Sequence, residues 1–83
     1  MQKLRPDMDI GKNLRRLRKR KGYTQSKVVQ NMQLMGCSIS IMTYSKMERN
    51  DYNIRISELV ALKLIFELDS FDEFFVGLEP KIK

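Results

Sequence analysis

Apolar residues recur along the chain at the three- and four-residue spacing of amphipathic α-helices, and no stretch alternates as a β-strand would. Ile10, Leu14 and Leu17, at i, i+4 and i+7, form the first such stripe. Similar stripes predict five helices, over about 10–21, 25–35, 41–49, 57–67 and 71–77. The pattern therefore predicts an all-α fold, a compact bundle of five helices.

Residues that commonly cap helices stand at the ends of these segments. Candidate N-caps for the first three helices are Asp9, Thr24, and either Ser38 or Ser40. Ser70 and Glu73 have the spacing of a capping box at the start of helix 5. Gly22 and Gly36 follow helices 1 and 2, where a left-handed residue commonly ends a helix. We expect one domain over residues 9–79, with a flexible N-terminal arm (1–8) and a short C-terminal tail (80–83).

The charge of the 83-residue chain is unevenly distributed around its net value of +6. Residues 1–23 contain nine basic and two acidic residues, whereas residues 56–83 contain three basic and six acidic ones. A basic front half favours a protein that presents one face to a polyanion, although a solubilising surface would look similar. No apolar run reaches the ~20 residues that span a bilayer, and the N-terminus lacks the apolar stretch of a signal peptide. We expect a cytoplasmic protein without membrane contact.

The residue types that most catalytic and metal sites need are missing. The chain has no histidine and one cysteine, Cys37. A zinc site needs several such ligands, and histidine is the usual general base. A glycine-rich loop that could hold a phosphate group is also missing. The sequence thus favours a protein that is not an enzyme and has no metal, cofactor or small-molecule ligand, with Cys37 in a structural role.

Helices 2 and 3 are short, consecutive and joined by a turn that contains Gly36, and a basic segment precedes them. These are the requirements of a helix-turn-helix, because the major groove of B-DNA admits one α-helix that a neighbouring helix must support. From Ile10 to Phe75 the chain resembles the Cro/repressor-like, or Xre, family of helix-turn-helix proteins. The resemblance lies in the order and spacing of five segments: IGKNLRRLR (10–18), KGYTQ (21–25), TYSKMER (43–49), LVAL (59–62) and SFDEFF (70–75).

The resemblance implies a fold and a function. The fold would be the five-helix bundle of lambda-repressor-like DNA-binding domains, with helices 2 and 3 as the helix-turn-helix. The function would be that of a sequence-specific transcription regulator, a repressor, that binds double-stranded DNA as a homodimer and is associated with the nucleoid when bound. One departure is the segment from Gln25 to Ser40, which is longer than in the short phage repressors.

Base-reading residues are implied on helix 3. The family's reading positions fall on Ile41, Met42, Thr43 and Lys46. Lys46 can donate to guanine, and the apolar groups can touch thymine methyl groups, so recognition with a large part for DNA shape is expected. Ile41 and Met42 could instead belong to the core, which would leave the polar residues of helix 3 as the DNA contacts.

Backbone contacts and a structural ion pair are implied as well. Gln25 matches the family's phosphate-binding glutamine, at a helix N-terminus whose N–H groups also attract phosphate. Arg18 and Glu48 match a partly buried salt bridge between helices 1 and 3. The expected contacts with the DNA backbone are Thr24, Gln25, Ser40, Ser45, Arg49, Asn50 and Asn53. A solvated glutamine and a solvated turn over 49–53 are the alternatives.

Helix 5 carries the apolar residues Phe71, Phe74, Phe75 and Leu78. These residues could form a homodimer contact, since such proteins usually bind two half-sites, or they could complete the monomer core. A function of another class is also open. It is a protein-interaction module, such as the antitoxin of a toxin–antitoxin pair, which uses the same fold and would bind a protein partner.

Overall fold

Four α-helices and a short 3₁₀-helix form most of the part of the chain that the computed structural model describes, residues 3–4 and 9–78. The helices are α1 (Gly11–Arg20), α2 (Gln25–Leu34), α3 (Ile41–Glu48), α4 (Ile56–Ile65) and the 3₁₀-helix Phe71–Phe75. The mostly helical fold agrees with the sequence pattern. The prediction of a fifth α-helix is wrong, because this segment winds as a 3₁₀-helix.

Two very short strands, β1 (Lys3–Leu4) and β2 (Ile54–Arg55), pair in antiparallel fashion. Lys3 lies opposite Arg55, and Leu4 lies opposite Ile54. The sequence predicts no strand, since two residues are too few to produce an alternating pattern. β1 falls within the predicted N-terminal arm. The rest of that arm (1–2 and 5–8) and the predicted tail (80–83) lie outside the described residues.

α2 and α3 begin at the polar N-caps that the sequence indicates, whereas the N-cap of α1 is Ile10 rather than the predicted Asp9. Thr24 Oγ1 accepts a hydrogen bond from the backbone N–H of Lys27 at 3.1 Å. Ser40 Oγ accepts one from the backbone N–H of Thr43, also at 3.1 Å, so Ser40 rather than Ser38 caps α3. Asp9 Oδ1 accepts from the N–H of Lys12 at 3.3 Å. Each bond satisfies a backbone donor that the helix itself leaves unpaired.

All four α-helices end in the same way, with a residue of positive φ: Gly22 (73°), Gly36 (91°), Asn50 (60°) and Glu67 (56°). In each case the N–H of the next residue donates to the carbonyl five residues earlier, as Tyr23 does to Arg18 at 3.1 Å. The sequence predicts the two glycine ends. The ends at Asn50 and Glu67 lack that signal, because residues other than glycine adopt positive φ less readily.

The segment that opens the 3₁₀-helix does not form the predicted capping box. Ser70 Oγ accepts a hydrogen bond from the N–H of Asp72 at 3.0 Å, two residues along instead of three. The Glu73 carboxylate accepts from the N–H of Asp69 at 3.3 Å rather than from that of Ser70. The turn is tighter than an α-helical one, since 3₁₀ winding places fewer residues in each turn.

The core lies between the four α-helices and the 3₁₀-helix. Side chains that are completely buried in it are Leu14, Leu17, Val28, Met32, Tyr44, Leu62 and Phe74. Met35, which the helical spacing places on the inner face of helix 2, is instead 45% exposed. The reason is that α2 ends at Leu34, so Met35 lies in the turn before Gly36 rather than on the inner face of the helix.

α1 is fixed against the rest of the fold by two contacts that its sequence does not reveal. A β-carbon on Gly11 would lie 2.5 Å from the carbonyl oxygen of Glu48, so only glycine allows α1 to approach the end of α3 this closely. Asn13 is buried, and its Nδ2 donates to the carbonyl oxygens of Phe74 and Val76, both at 2.9 Å. These contacts hold α3 on one side of α1 and the 3₁₀-helix on the other.

Candidate nucleic-acid interface

α3 buries one face and exposes another that is partly apolar. Tyr44 and Met47 point inward and are 0% and 1% exposed. Ile41 is 50% exposed and Met42 is 68% exposed, so the interpretation of these two residues as core is wrong. The helical repeat places a set of residues on the side away from the core, and we call it the α3 outer face: Ile41, Met42, Ser45, Lys46 and Arg49.

Thr43 lies half-buried at the edge of this face rather than within it. Its Oγ1 accepts a hydrogen bond from Ser40 Oγ at 3.1 Å, so both hydroxyl groups belong to the capped first turn of α3. Next to it, the Gln33 side chain donates to the carbonyl oxygen of Ile39 at 2.9 Å. This bond spans the connection over residues 35–40 between α2 and α3.

A hollow of about 200 Å³ lies beside the α3 outer face, where α1, the start of α2 and the end of α3 meet. Its lining contains three guanidinium groups, one carboxylate and two neutral polar groups: Arg15, Arg18, Gln25, Ser45, Glu48 and Arg49. Arg49 Nη1 donates to Ser45 Oγ at 2.9 Å, which directs the guanidinium along the rim of the hollow. The composition is suitable for an anion, because arginine donates several N–H groups to phosphate oxygens.

Arg18 and Glu48 form the ion pair that the resemblance implies, and both residues line the hollow. Arg18 Nε and Nη2 donate to the two carboxylate oxygens at 2.6 and 3.1 Å. Arg18 Nη1 donates to the carbonyl oxygen of Tyr23 at 2.9 Å. The side chains of Arg18 and Glu48 are only 12% and 5% exposed. The pair thus ties α1 to α3 in a site with little water, where a bidentate geometry is most effective.

Gln25 completes this network from the first turn of α2. Its Nε2 donates to Glu48 Oε1 at 3.1 Å, and the side chain is half-buried. Burial alone would raise the pKa of Glu48, but the hydrogen bonds from Arg18 and Gln25 and the charge of Arg18 hold it below its usual range. The same contact raises the pKa of Arg18. Glu48 is therefore ionised at neutral pH, and it fixes the orientation of the Gln25 amide.

The basic run of α1 is divided between internal contacts and solvent. Arg20 Nη2 lies 3.1 Å from Glu73 Oε1, and Lys21 Nζ lies 3.3 Å from Glu67 Oε2. These acids belong to the negatively charged back half of the chain, and they neutralise the side of α1 that faces it. Arg15 is exposed on the side of the hollow, and no ion pair involves it among the described residues. Arg15 therefore supplies available positive charge at the hollow, and Lys12, Arg16 and Lys19 are further exposed residues of α1 without an ion pair among the described residues.

The other predicted backbone contacts lie at the ends of α2 and α3. Thr24 is exposed and caps α2, Ser40 is exposed and caps α3, and Asn50 forms the left-handed end of α3. Asn53 is exposed in the loop that precedes β2. Arg49 and Ser45 lie on the α3 outer face. The structure thus brings Gln25, Ser45 and Arg49 together at the hollow, whereas Thr24, Ser40, Asn50 and Asn53 do not line it.

The aromatic residues near the C-terminus have different environments. Phe74 is completely buried, so its inclusion in a dimer contact is wrong, because its ring completes the core. Phe71 and Phe75 are each 40% exposed. Leu78 is half-buried and packs against the core. Only Phe71 and Phe75 of this group therefore offer substantial surface to a partner.

Within the described residues, no group of three potential His, Cys, Asp or Glu ligands could hold a metal ion. Cys37 is half-buried against the core, and burial raises the pKa of its thiol. No helix in the described part of the chain is long and apolar enough to cross a membrane.

No protein-family model matches the chain, and neither a curated protein nor a solved structure matches it significantly.

Proposed function

We propose that the protein is a sequence-specific regulator of transcription that binds double-stranded DNA, with α2 and α3 as a helix-turn-helix of the lambda-repressor type. The observation that carries this proposal is the α3 outer face, a partly apolar helical surface directly beside a hollow that contains Arg15, Arg18 and Arg49. In this function α3 lies in the major groove, and the hollow receives a phosphate of the DNA backbone.

The hollow supplies the contacts that are independent of sequence. One N–H of the Gln25 amide is occupied by Glu48, which leaves its second N–H for a phosphate oxygen. Arg15 and Arg49 add positive charge at the hollow, and Gln25 brings the N-terminus of α2, with the partial positive charge of its helix dipole, to the same place. These groups position the protein on the duplex and make its affinity dependent on salt.

The α3 outer face supplies the contacts that depend on sequence. Lys46 is exposed and can donate to guanine O6 or N7. Ile41 and Met42 are apolar and suit the methyl group of thymine. Since only Lys46 of these three residues can donate a hydrogen bond to a base, we expect the shape and deformability of the DNA site to contribute strongly to its selection. Two copies would bind half-sites about 34–36 Å apart, the repeat of one helical turn.

Selection of random-sequence duplex DNA by the purified protein, followed by sequencing at about 150 mM salt, tests the proposal. Enrichment of a short motif, as an inverted repeat with thymines opposite Met42, is the expected result. Retention without enrichment would contradict sequence-specific regulation and leave only electrostatic binding. No retention would remove DNA from the proposal altogether.

Two variants separate the roles of the two surfaces in the same experiment. Met42→Ala changes the α3 outer face at a residue that is 68% exposed, so it should alter the selected motif without unfolding the protein. Arg15→Ala removes one charge at the hollow. It should weaken binding to all sequences alike and reduce the salt slope by about one unit. If Met42→Ala instead weakened binding to all sequences alike, and Arg15→Ala altered the selected motif, the DNA would lie elsewhere on the protein.

A protein-interaction module, such as an antitoxin, is the second candidate. The observation that favours it is a set of exposed apolar residues outside α3, which includes Leu34 at 85% and Leu64 at 58% exposure. The two functions can coexist in one chain. In the selection experiment, a protein that retains no DNA until a second protein is added would support this candidate.

A further inference from the structure

α4 is apolar on two sides, and only one of them is covered by the core. Its inner side buries Leu59, Leu62 and Ile65. On the opposite side, Ile56, Val60 and Leu64 are 42%, 41% and 58% exposed. These three residues lie at i, i+4 and i+8, and we call them the α4 stripe. A helix with apolar residues on both sides is typically buried on both sides, whereas the described residues of this chain leave the α4 stripe exposed.

The stripe borders further apolar surface and lies apart from the candidate DNA interface. An open hollow of about 400 Å³ separates Val60 and Ala61 of α4 from Met35 and Cys37 after α2. α4 packs against α2, whereas α3 packs against α1 and α2. Cover over the α4 stripe would therefore leave the α3 outer face and the basic hollow accessible.

We propose that the α4 stripe is the surface on which a second copy of this chain docks, with the two α4 helices antiparallel about a two-fold axis near Val60. In this arrangement Ile56 of one copy faces Leu64 of the other, and the contact is the same on both sides, as an isologous interface requires. This inference deepens the proposed function, since it identifies the partner that joins two DNA-reading units.

The charges around α4 favour a second copy as the occupant. Arg55 precedes the helix, and two exposed acids follow it: Asp69, and Glu67, which also pairs with Lys21 of its own chain. An antiparallel pair places the basic end of each helix beside the acidic end of the other, and it also opposes the two helix dipoles. Lys63 is directed over the Phe71 ring of its own chain, 5.3 Å from the centroid. The stripe itself thus carries no charge that would repel an identical surface.

Sedimentation of the full-length protein without DNA, over about 1–200 μM, tests this inference. We expect the wild-type protein to form a dimer. Val60→Glu should raise the dimer dissociation constant by about 100-fold or more, because it places two carboxylates at the two-fold axis. Phe75→Glu is the matched control, since Phe75 is 40% and Val60 41% exposed and both change to the same residue. It should leave the dimer intact.

Circular dichroism establishes that each variant is folded. If Val60→Glu does not fold, Leu64→Lys replaces it, because Leu64 is more exposed than Val60. A wild-type protein that stays monomeric overturns the inference, even if it binds another protein through this surface. The inference is also overturned if the dimer persists in both Val60→Glu and Leu64→Lys, or if Phe75→Glu is the only variant that disrupts it. Because the assay contains no DNA, it is independent of the selection experiment. A monomer that still enriches a motif would refute the dimer surface and leave the proposed function standing.

Discussion

The ion pair between Arg18 and Glu48 should be strongly cooperative, and replacement of each residue alone and of both together measures this. Arg18→Met removes three hydrogen bonds, two to Glu48 and one to the carbonyl of Tyr23. Glu48→Leu removes the carboxylate and also frees the Gln25 amide. The double variant replaces both charges with apolar side chains of similar length. The three variants therefore form a complete thermodynamic cycle.

The magnitudes follow from the burial of the two groups. Arg18→Met leaves the Glu48 carboxylate in a site that is only 5% exposed, which costs about 3 kcal/mol of unfolding free energy. Glu48→Leu leaves a guanidinium that is 12% exposed and keeps its bond to Tyr23, so its cost is lower, about 2 kcal/mol. The double variant strands no charge and should cost about 2 kcal/mol. The resulting coupling energy is about 3 kcal/mol in favour of the pair.

Urea unfolding followed by far-UV circular dichroism at pH 7 gives the four free energies. The Arg20–Glu73 pair is the control on the same helix. Its side chains are 50% and 29% exposed, so a cycle on it should give a coupling of about 0.5 kcal/mol or less. Additivity within about 0.5 kcal/mol for Arg18 and Glu48 would refute the buried ion pair. Equal couplings for the two pairs would refute the argument from burial.

The same cycle has a predictable pH dependence. The pKa of Glu48 is lowered in the folded protein below its ordinary value of 4.5. Its contribution is therefore fully present above pH 4.5 and is lost as the pH falls through the lowered folded value. The coupling energy should stay constant between pH 7 and about pH 5 and decline below that range. A coupling that grows on acidification would show that the ionised carboxylate is not its source.

Four further substitutions test contacts of α1 and of the 3₁₀-helix, each by urea unfolding. Gly11→Ala should cost about 3 kcal/mol, because its β-carbon would lie 2.5 Å from a backbone oxygen of α3, and an unaltered stability would contradict this close approach. Asn13→Asp should cost about 2 kcal/mol, since a carboxylate cannot donate to the carbonyls of Phe74 and Val76, whereas a neutral effect would show that these bonds are dispensable. Phe74→Ala should cost about 4 kcal/mol and Phe75→Ala about 1 kcal/mol, and similar costs would refute the difference in burial.

Features that depend on neighbouring residues could be predicted from the sequence. Thr24 and Ser40 cap α2 and α3 because a hydroxyl group reaches the backbone N–H three residues further along whatever the rest of the fold does. The helical stripes locate the core for the same reason. Local rules fail at Ser70. The spacing of Ser70 and Glu73 is compatible with an α-helical turn and with a 3₁₀ turn, and the structure has the 3₁₀ turn, in which Phe74 is buried.

Features that join distant parts of the chain could not be predicted in this way. The bonds of Asn13 to Phe74 and Val76 connect residues more than 60 positions apart, and nothing near Asn13 indicates them. The need for glycine at position 11 arises from the backbone of α3 and not from any turn. The ion pair of Arg18 and Glu48 is also a distant contact, and only the resemblance to a family with such a pair made it predictable. The spacing of the two residues alone carries no such signal.

In the proposed function, the two sides of α3 separate stability from recognition. Tyr44, Met47 and Glu48 hold the helix in the fold, whereas Met42 and Lys46 are exposed and make no contact on which the core depends. Substitution on the outer side should therefore cost little stability, since surface changes away from such contacts are usually within about 0.5 kcal/mol. If the α3 outer face reads DNA, the preference of the protein for a DNA sequence can change while the fold is retained. A change on the inner side would instead disturb the position of the whole helix, and with it every contact that α3 makes.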